Sequence, residues 1–197
     1  MFNISILALY LSDLDVTLLN YFKIERGGTL LDSQTIDLSS FNTIELLRLQ
    51  TKVIGELKGR GIVRTNNNPL ADYAEYLAAK ALGLELCVNS QTGHDGKDVH
   101  GLRYEVKARR VTTTNPSRQL SSIRKLNEKH FDWLLAIIFD EAFIVDQAIL
   151  LPHEAIADYA THRDHTNSHI LVMKGAVLKD QRLKDITERI SAAQLES

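Results

Sequence analysis

The sequence predicts a mixed α/β sandwich, and three observations predict it. Trp133–Phe139 is an unbroken apolar run, as in a strand buried on both faces. Asn68-Pro69 is a strong helix start, followed by apolar residues at helical spacing. Residues 93–110, GHDGKDVHGLRYEVKARR, read as a short β-hairpin centred on Gly101.

In chain order, the first forty residues form an appendage around Arg26-Gly27-Gly28 that no pattern assigns. Asn42-Thr43-Ile44-Glu45 resembles a capping box, opening a helix to about Lys58 with Ile44, Leu47, Val53, Ile54 and Leu57 apolar. This helix is expected to pack on the core. Gly59-Arg60-Gly61 ends it, and Ile62-Val63-Arg64 is short and strand-like.

The helix opened by Asn68-Pro69 runs to Leu82 and is closed by Gly83. Its apolar stripe is Leu70, Tyr73, Ala74, Leu77, Ala78 and Ala81, with Glu75 flanking it and Asp72 pointing further out. Residues 84–88 read as a strand, and the two hairpin strands follow. Asn115-Pro116-Ser117 opens a basic helix to about Lys129, and the buried strand comes next. Residues 143–151 form a further strand, Pro152-His153-Glu154 begins a helix to Ala160, 169–173 is strand-like, and 180–193 is a terminal helix. The core order is thus helix, three strands, helix, strand.

At 197 residues the chain can bury one good core, so the expected division is an appendage over 1–64 and a main domain over 65–197. The single cysteine, Cys87, is expected to be buried, and a reducing cytoplasm is its natural setting. The apolar run ISILALYLSDLDVTLL lacks a basic flank and is interrupted by Asp13 and Asp15, so neither a signal nor a membrane span is expected. Charge is unevenly spread. Residues 1–57 hold seven acidic and four basic side chains, while 97–129 hold nine basic against three acidic, which suggests a polyanionic partner.

The hairpin carries the chemistry. A three-residue loop, Val99-His100-Gly101, sets Asp98 opposite Leu102 and Asp95 opposite Glu105. Asp95, Glu105 and Lys107 then project from one face, and Asp98 belongs to the turn. A two-residue loop would shift the register and send Asp95 to the other face. Two carboxylates and an ammonium on neighbouring strands are what a Mg²⁺-dependent phosphodiesterase needs. Glu-x-Lys alone is a weak signal: Glu56-Leu57-Lys58 repeats it on a helix, and Asp95-Gly96-Lys97 is similar. Strand context and the partner acid distinguish Glu105-Val106-Lys107.

This element order and these residues resemble the PD-(D/E)xK phosphodiesterase superfamily, the restriction-endonuclease-like αβββαβ fold. The resemblance covers roughly residues 68–140. The chain is also similar to a group of uncharacterised bacterial proteins often suspected of belonging to it. The resemblance implies Asp95 as the first acid, with His94 where the family often has proline, Glu105 and Lys107 as the ExK pair, and Glu75 as the helix carboxylate. It implies Mg²⁺, with Mn²⁺ able to substitute, held by Asp95, Glu105 and the Val106 carbonyl. Lys107 would orient the attacking water, and Glu75 would orient a further water or hold a second metal.

The expected function is therefore a DNA endonuclease, restriction- or repair-like, acting on double-stranded DNA. Arg109, Arg110, Arg118 and Arg124 are expected to hold backbone phosphates. Cutting both strands favours a symmetric homodimer, with the appendage as candidate interface. The alternative is a non-catalytic nucleic-acid-binding module on the same fold. His162, His165 and His169 lie in a polar loop, and a zinc site there is not expected.

Overall fold

The computed structural model describes residues 37–88 and 93–197. The expectations for residues 1–36, including the Arg26-Gly27-Gly28 segment, lie outside the described residues. By contacts the chain divides between Leu49 and Gln50, inside α1 (Thr43–Gly59), whereas the sequence suggests a division after residue 64. The capping box is formed at the start of α1: Asn42 N–H donates to Glu45 Oε2 at 2.8 Å, and Glu45 N–H to Asn42 Oδ1 at 3.0 Å. None of the α1 residues is buried, and Ile44, Leu47 and Val53 are exposed.

The second unit is built on a six-stranded mixed sheet. Its strands are β1 (Glu85–Leu86), β2 (Gly96–Lys97), β3 (Arg103–Arg110), β5 (Trp133–Phe139), β6 (Val145–Pro152) and β9 (Lys184–Asp185), in that spatial order. Neighbours pair antiparallel except β3 with β5, which run parallel from Tyr104 opposite Trp133 to Arg110 opposite Phe139. β5 spans the apolar run the sequence marks, and six of its seven residues are buried.

One face of the sheet carries α2 (Leu70–Leu82) and α4 (Thr187–Leu195). Ala74, Leu77 and Ala78 of α2 and Ile190 and Ala193 of α4 pack there against Tyr104, Val106, Leu135 and Ile137. α2 starts and stops as its sequence predicts. The Asn68 carboxamide accepts the Leu70 N–H at 3.0 Å, and Gly83, at φ 69°, donates to Ala79 O. Before it, Ile62-Val63-Arg64 is loop rather than strand.

The expected helix from Asn115 to Lys129 is absent, which departs from the αβββαβ order. A parallel β3–β5 pair needs a long crossover, and here it is mostly irregular. It contains β4 (Ile123–Arg124) and a single 3₁₀ turn at Leu126–Glu128. β4 pairs with β8 (Ser168–Ile170), and β8 with β7 (Thr161–Arg163), to form a small second sheet. Leu120, Ile123 and Leu126 recur every third residue and so mimic a helix. Buried with Leu171 and Met173, they instead cover Leu134, Ala136 and Ile138 on the sheet's second face. Thr112 to Thr114, Ser121 and Ser122 favour this non-helical path, since β-branched and hydroxyl side chains are poor helix formers.

That face is also closed by Ile156 of α3 (His153–Ile156), a single turn where a longer helix was expected. The sheet is therefore covered by helices on one side and by mainly β structure on the other. At the C-terminus, α4 begins later than expected. Asp185 accepts the Thr187 N–H at 2.9 Å and caps the helix there, leaving 180–186 to a turn and β9.

Candidate active site

The β2–β3 hairpin has the register the three-residue loop predicts: Gly96 opposite Tyr104 and Lys97 opposite Arg103. Gly101 sits at φ 78° and donates to Asp98 O at 3.0 Å. Asp98 organises the turn. Its Oδ1 accepts the N–H groups of His100 at 2.9 Å and Leu102 at 3.0 Å, and its Oδ2 accepts the Tyr104 hydroxyl at 3.2 Å. Burial, with Asp98 alongside, pushes the Tyr104 phenol up to about 12.

β2 begins at Gly96, and Asp95 lies just before the paired residues. Its backbone is fixed on both sides: its N–H donates to Tyr104 O at 2.7 Å, and its carbonyl accepts the Cys87 N–H at 2.9 Å. Its carboxylate Oδ2 takes the Val106 N–H at 2.7 Å, capping the edge of β3 that β2 leaves open. N–H and C=O of one residue leave a strand on the same side, so the Val106 carbonyl faces that edge too.

Alternation along β3 buries Tyr104 and Val106 under the helices and turns Glu105, Lys107 and Arg109 to the opposite face. Glu105 and Lys107 form an ion pair, with side chains only 15% and 17% exposed. Burial pushes the Glu105 carboxyl up. The Lys107 ammonium opposes that shift, the Asp95 charge adds to it, and His130 opposes it more weakly. Asp95, Glu105 and Lys107 therefore interact electrostatically, with Asp95 at the strand edge and Glu105 and Lys107 on the strand's face.

Glu75, expected beside these residues, lies with Asp95 on a cleft of about 380 Å³ that Arg64, Asp72 and His94 also line. Its carboxylate, 13% exposed, is paired with the Arg64 guanidinium. Arg64 also donates through Nη1 to Cys87 O at 2.7 Å. Cys87 itself is half-buried rather than buried.

Asp72 does not point outward. It is buried, and its Oδ2 accepts the N–H groups of Arg64 at 2.9 Å and Thr65 at 2.7 Å, plus the Thr65 hydroxyl at 2.9 Å. Burial disfavours its charge, but the bonds from Thr65 and Arg64 outweigh that and hold the carboxyl below the usual range. Arg64 and Asp72 are site residues that sequence reasoning missed. Each has its partners across a loop or on another element, and no local spacing rule joins them.

Of the arginines expected to bind phosphates, three are engaged within the protein. Arg109 donates to Ser117 O at 2.9 Å and Asn115 Oδ1 at 2.8 Å, shaping the crossover. Arg110 lies over the Phe143 ring, 4.6 Å from its centroid. Arg118 pairs with Asp146 and donates to Gln147 Oε1 at 3.2 Å. Arg124 is exposed on β4. Part of the basic block thus holds the fold together.

His130, near Glu105, is anchored at 2.7 Å to Glu128 and packs on Gly93. Gly93 has φ 73°, and a Cβ there would fall 2.6 Å from His130 Cβ. Gly93→Ala is expected to destabilise the fold by about 1–3 kcal/mol, from overpacking at a left-handed position. Urea unfolding monitored by circular dichroism would measure it, and an unchanged midpoint would contradict this account.

Among the described residues no group of three or more His, Cys, Asp or Glu is arranged to hold a metal, and His162 instead pairs with Asp164 at 2.9 Å. Mg²⁺ does not require such a cage. It characteristically takes one or two carboxylates and keeps several waters. Two carboxylates that repel each other across the Val106 edge, one of them poorly solvated, fit a hard divalent cation. No helix among the described residues is long and apolar enough to cross a membrane. In comparison with known proteins, the chain matches no family model and no curated protein.

Proposed function

We propose that this protein is a Mg²⁺-dependent DNA endonuclease of the PD-(D/E)xK kind, restriction- or repair-like. The observation that carries this reading is the electrostatic coupling of Asp95, at the edge of β3, to the Glu105–Lys107 ion pair on the face of that strand. Asp95 and Glu105, with the Val106 carbonyl, would hold the cation. When bound, Mg²⁺ supplies Lewis-acid polarisation of a phosphoryl oxygen and acidification of water.

The remaining work belongs to the chain. Glu105 holds the Lys107 ammonium at the site, where it can orient the attacking water and offset negative charge developing at phosphorus. Hydrolysis adds water across one P–O ester bond, leaving a phosphate monoester on one fragment and a hydroxyl on the other. Low exposure of Glu105 and Lys107 strengthens these electrostatic effects, because little solvent screens them.

The test is incubation of supercoiled plasmid and labelled single- and double-stranded DNA and RNA with Mg²⁺ or Mn²⁺. Metal-dependent cutting that chelation stops, strongest on duplex DNA, is the expected result. Salt-sensitive binding without cutting would replace this reading with a nucleic-acid-binding module. Neither binding nor cutting would remove both.

A further inference from the structure

We propose that Arg64 is a substrate-binding residue of the cleft that Asp95 lines, gripping a backbone phosphate adjacent to the one hydrolysed. This rests on the nuclease reading and adds how the polynucleotide is held.

The cleft beside Asp95 also contains the carboxylates of Asp72 and Glu75, so a polyanion entering it needs a fixed positive charge. Arg64 supplies one. Its position is over-determined from below: Asp72 Oδ2 accepts the backbone N–H groups of Arg64 and Thr65 and the Thr65 hydroxyl. Glu75 and Cys87 O then orient the guanidinium, one through Nη2 and the other through Nη1.

A guanidinium has more N–H donors than these two bonds use, and its planar fork matches a phosphate. The side chain is 42% exposed, while that of Glu75 behind it is 13% exposed. The arginine therefore presents outward from a buried anchor, as a preorganised anion contact does. Cys87 links the two halves of the site, since its carbonyl takes Arg64 and its N–H binds Asp95 O. Asp72 and Glu75 are positioning residues in this arrangement.

The experiment compares wild type with Arg64→Gln and Arg64→Lys on duplex DNA and on bis(p-nitrophenyl) phosphate, which carries a single phosphate. Arg64→Gln is expected to raise KM for DNA roughly 10- to 100-fold, as for loss of a charged hydrogen bond. It should also reduce the salt slope of DNA binding by about one. Arg64→Lys is expected to keep the slope and recover only part of the KM.

A structural role would depress both substrates alike. The phosphate grip predicts a larger loss on DNA than on the small diester. Equal losses, or a wild-type KM and slope in folded Arg64→Gln, would overturn the inference and leave the nuclease reading standing. If Arg64→Gln fails to fold, Arg64→Lys carries the test, and a wild-type KM for DNA in that variant overturns the inference. A wild type that cleaves nothing removes the nuclease reading, and this inference with it.

Discussion

On the nuclease reading, Lys107→Ala is expected to lower the rate of DNA hydrolysis by about 10²–10³-fold while leaving divalent-cation binding intact. The magnitude is that of removing one preorganised group that stabilises transition-state charge in a poorly solvated site. The side chain leaves β3 on the same face as Glu105, is 17% exposed, and has Glu105 as its ion-pair partner. Truncation removes the ammonium but none of the cation's oxygen donors. It also removes a positive charge that competes with the cation for Glu105, so affinity for Mg²⁺ or Mn²⁺ should hold or rise. Single-turnover cleavage with saturating metal reads the first effect, and calorimetric titration with Mn²⁺ reads the second. Undiminished cleavage would reduce Lys107 to a counter-ion for Glu105 and move the catalytic centre elsewhere.

What the sequence reveals follows from how far apart the interacting residues lie. The hairpin register depends on Asp98, Gly101 and the residues between them, so it can be read locally, and it is observed. β5 is legible because burial on both faces requires a continuous apolar run. The caps at Asn42, Asn68 and Gly83 are likewise local chemistry.

The crossover between β3 and β5 misleads for a physical reason. Leu120, Ile123 and Leu126 have helical spacing, but their partners are Leu171 and Met173, some fifty residues later. Pairing with β8 and with the bridge at Val172 satisfies the backbone that a helix would have satisfied internally. The site divides the same way. Glu105 and Lys107 declare themselves two apart on a strand, whereas Asp72 and Arg64 acquire their meaning only when the loop before α2 folds back on it.

Glu105→Gln is expected to abolish metal-dependent cleavage and, with it, the stabilisation of the fold by Mg²⁺. If the wild type binds a cation there, a roughly hundredfold excess over its Kd would raise unfolding stability by about 2.7 kcal/mol. Removing one of two carboxylate ligands should erase most of that gain. This separates Glu105 from Lys107, whose loss spares binding.

The two proteins should also differ in how their metal-free stability depends on pH. The Glu105 carboxyl is raised in the folded protein, by burial first and by Asp95 as well, so the unfolded chain ionises it more readily. Its contribution to stability is fully present below the unfolded value near about 4.3 and is lost as pH rises through the folded value. The stability of wild type relative to Glu105→Gln should therefore fall over that window and then level off.

Asp72 and Asp132 are held low and act in the opposite sense. Burial opposes the Asp72 charge and the Thr65 and Arg64 bonds outweigh it, while the Arg103 hydrogen bond leads at Asp132. Their stabilisation is present above about pH 4 and is lost as pH falls through their folded values. Both proteins share these groups, so subtracting one urea-unfolding curve from the other isolates Glu105. A difference flat with pH would mean that Lys107 fully compensates the Glu105 charge. The carboxylate pair would then lack the excess negative charge on which the case for a cation depends.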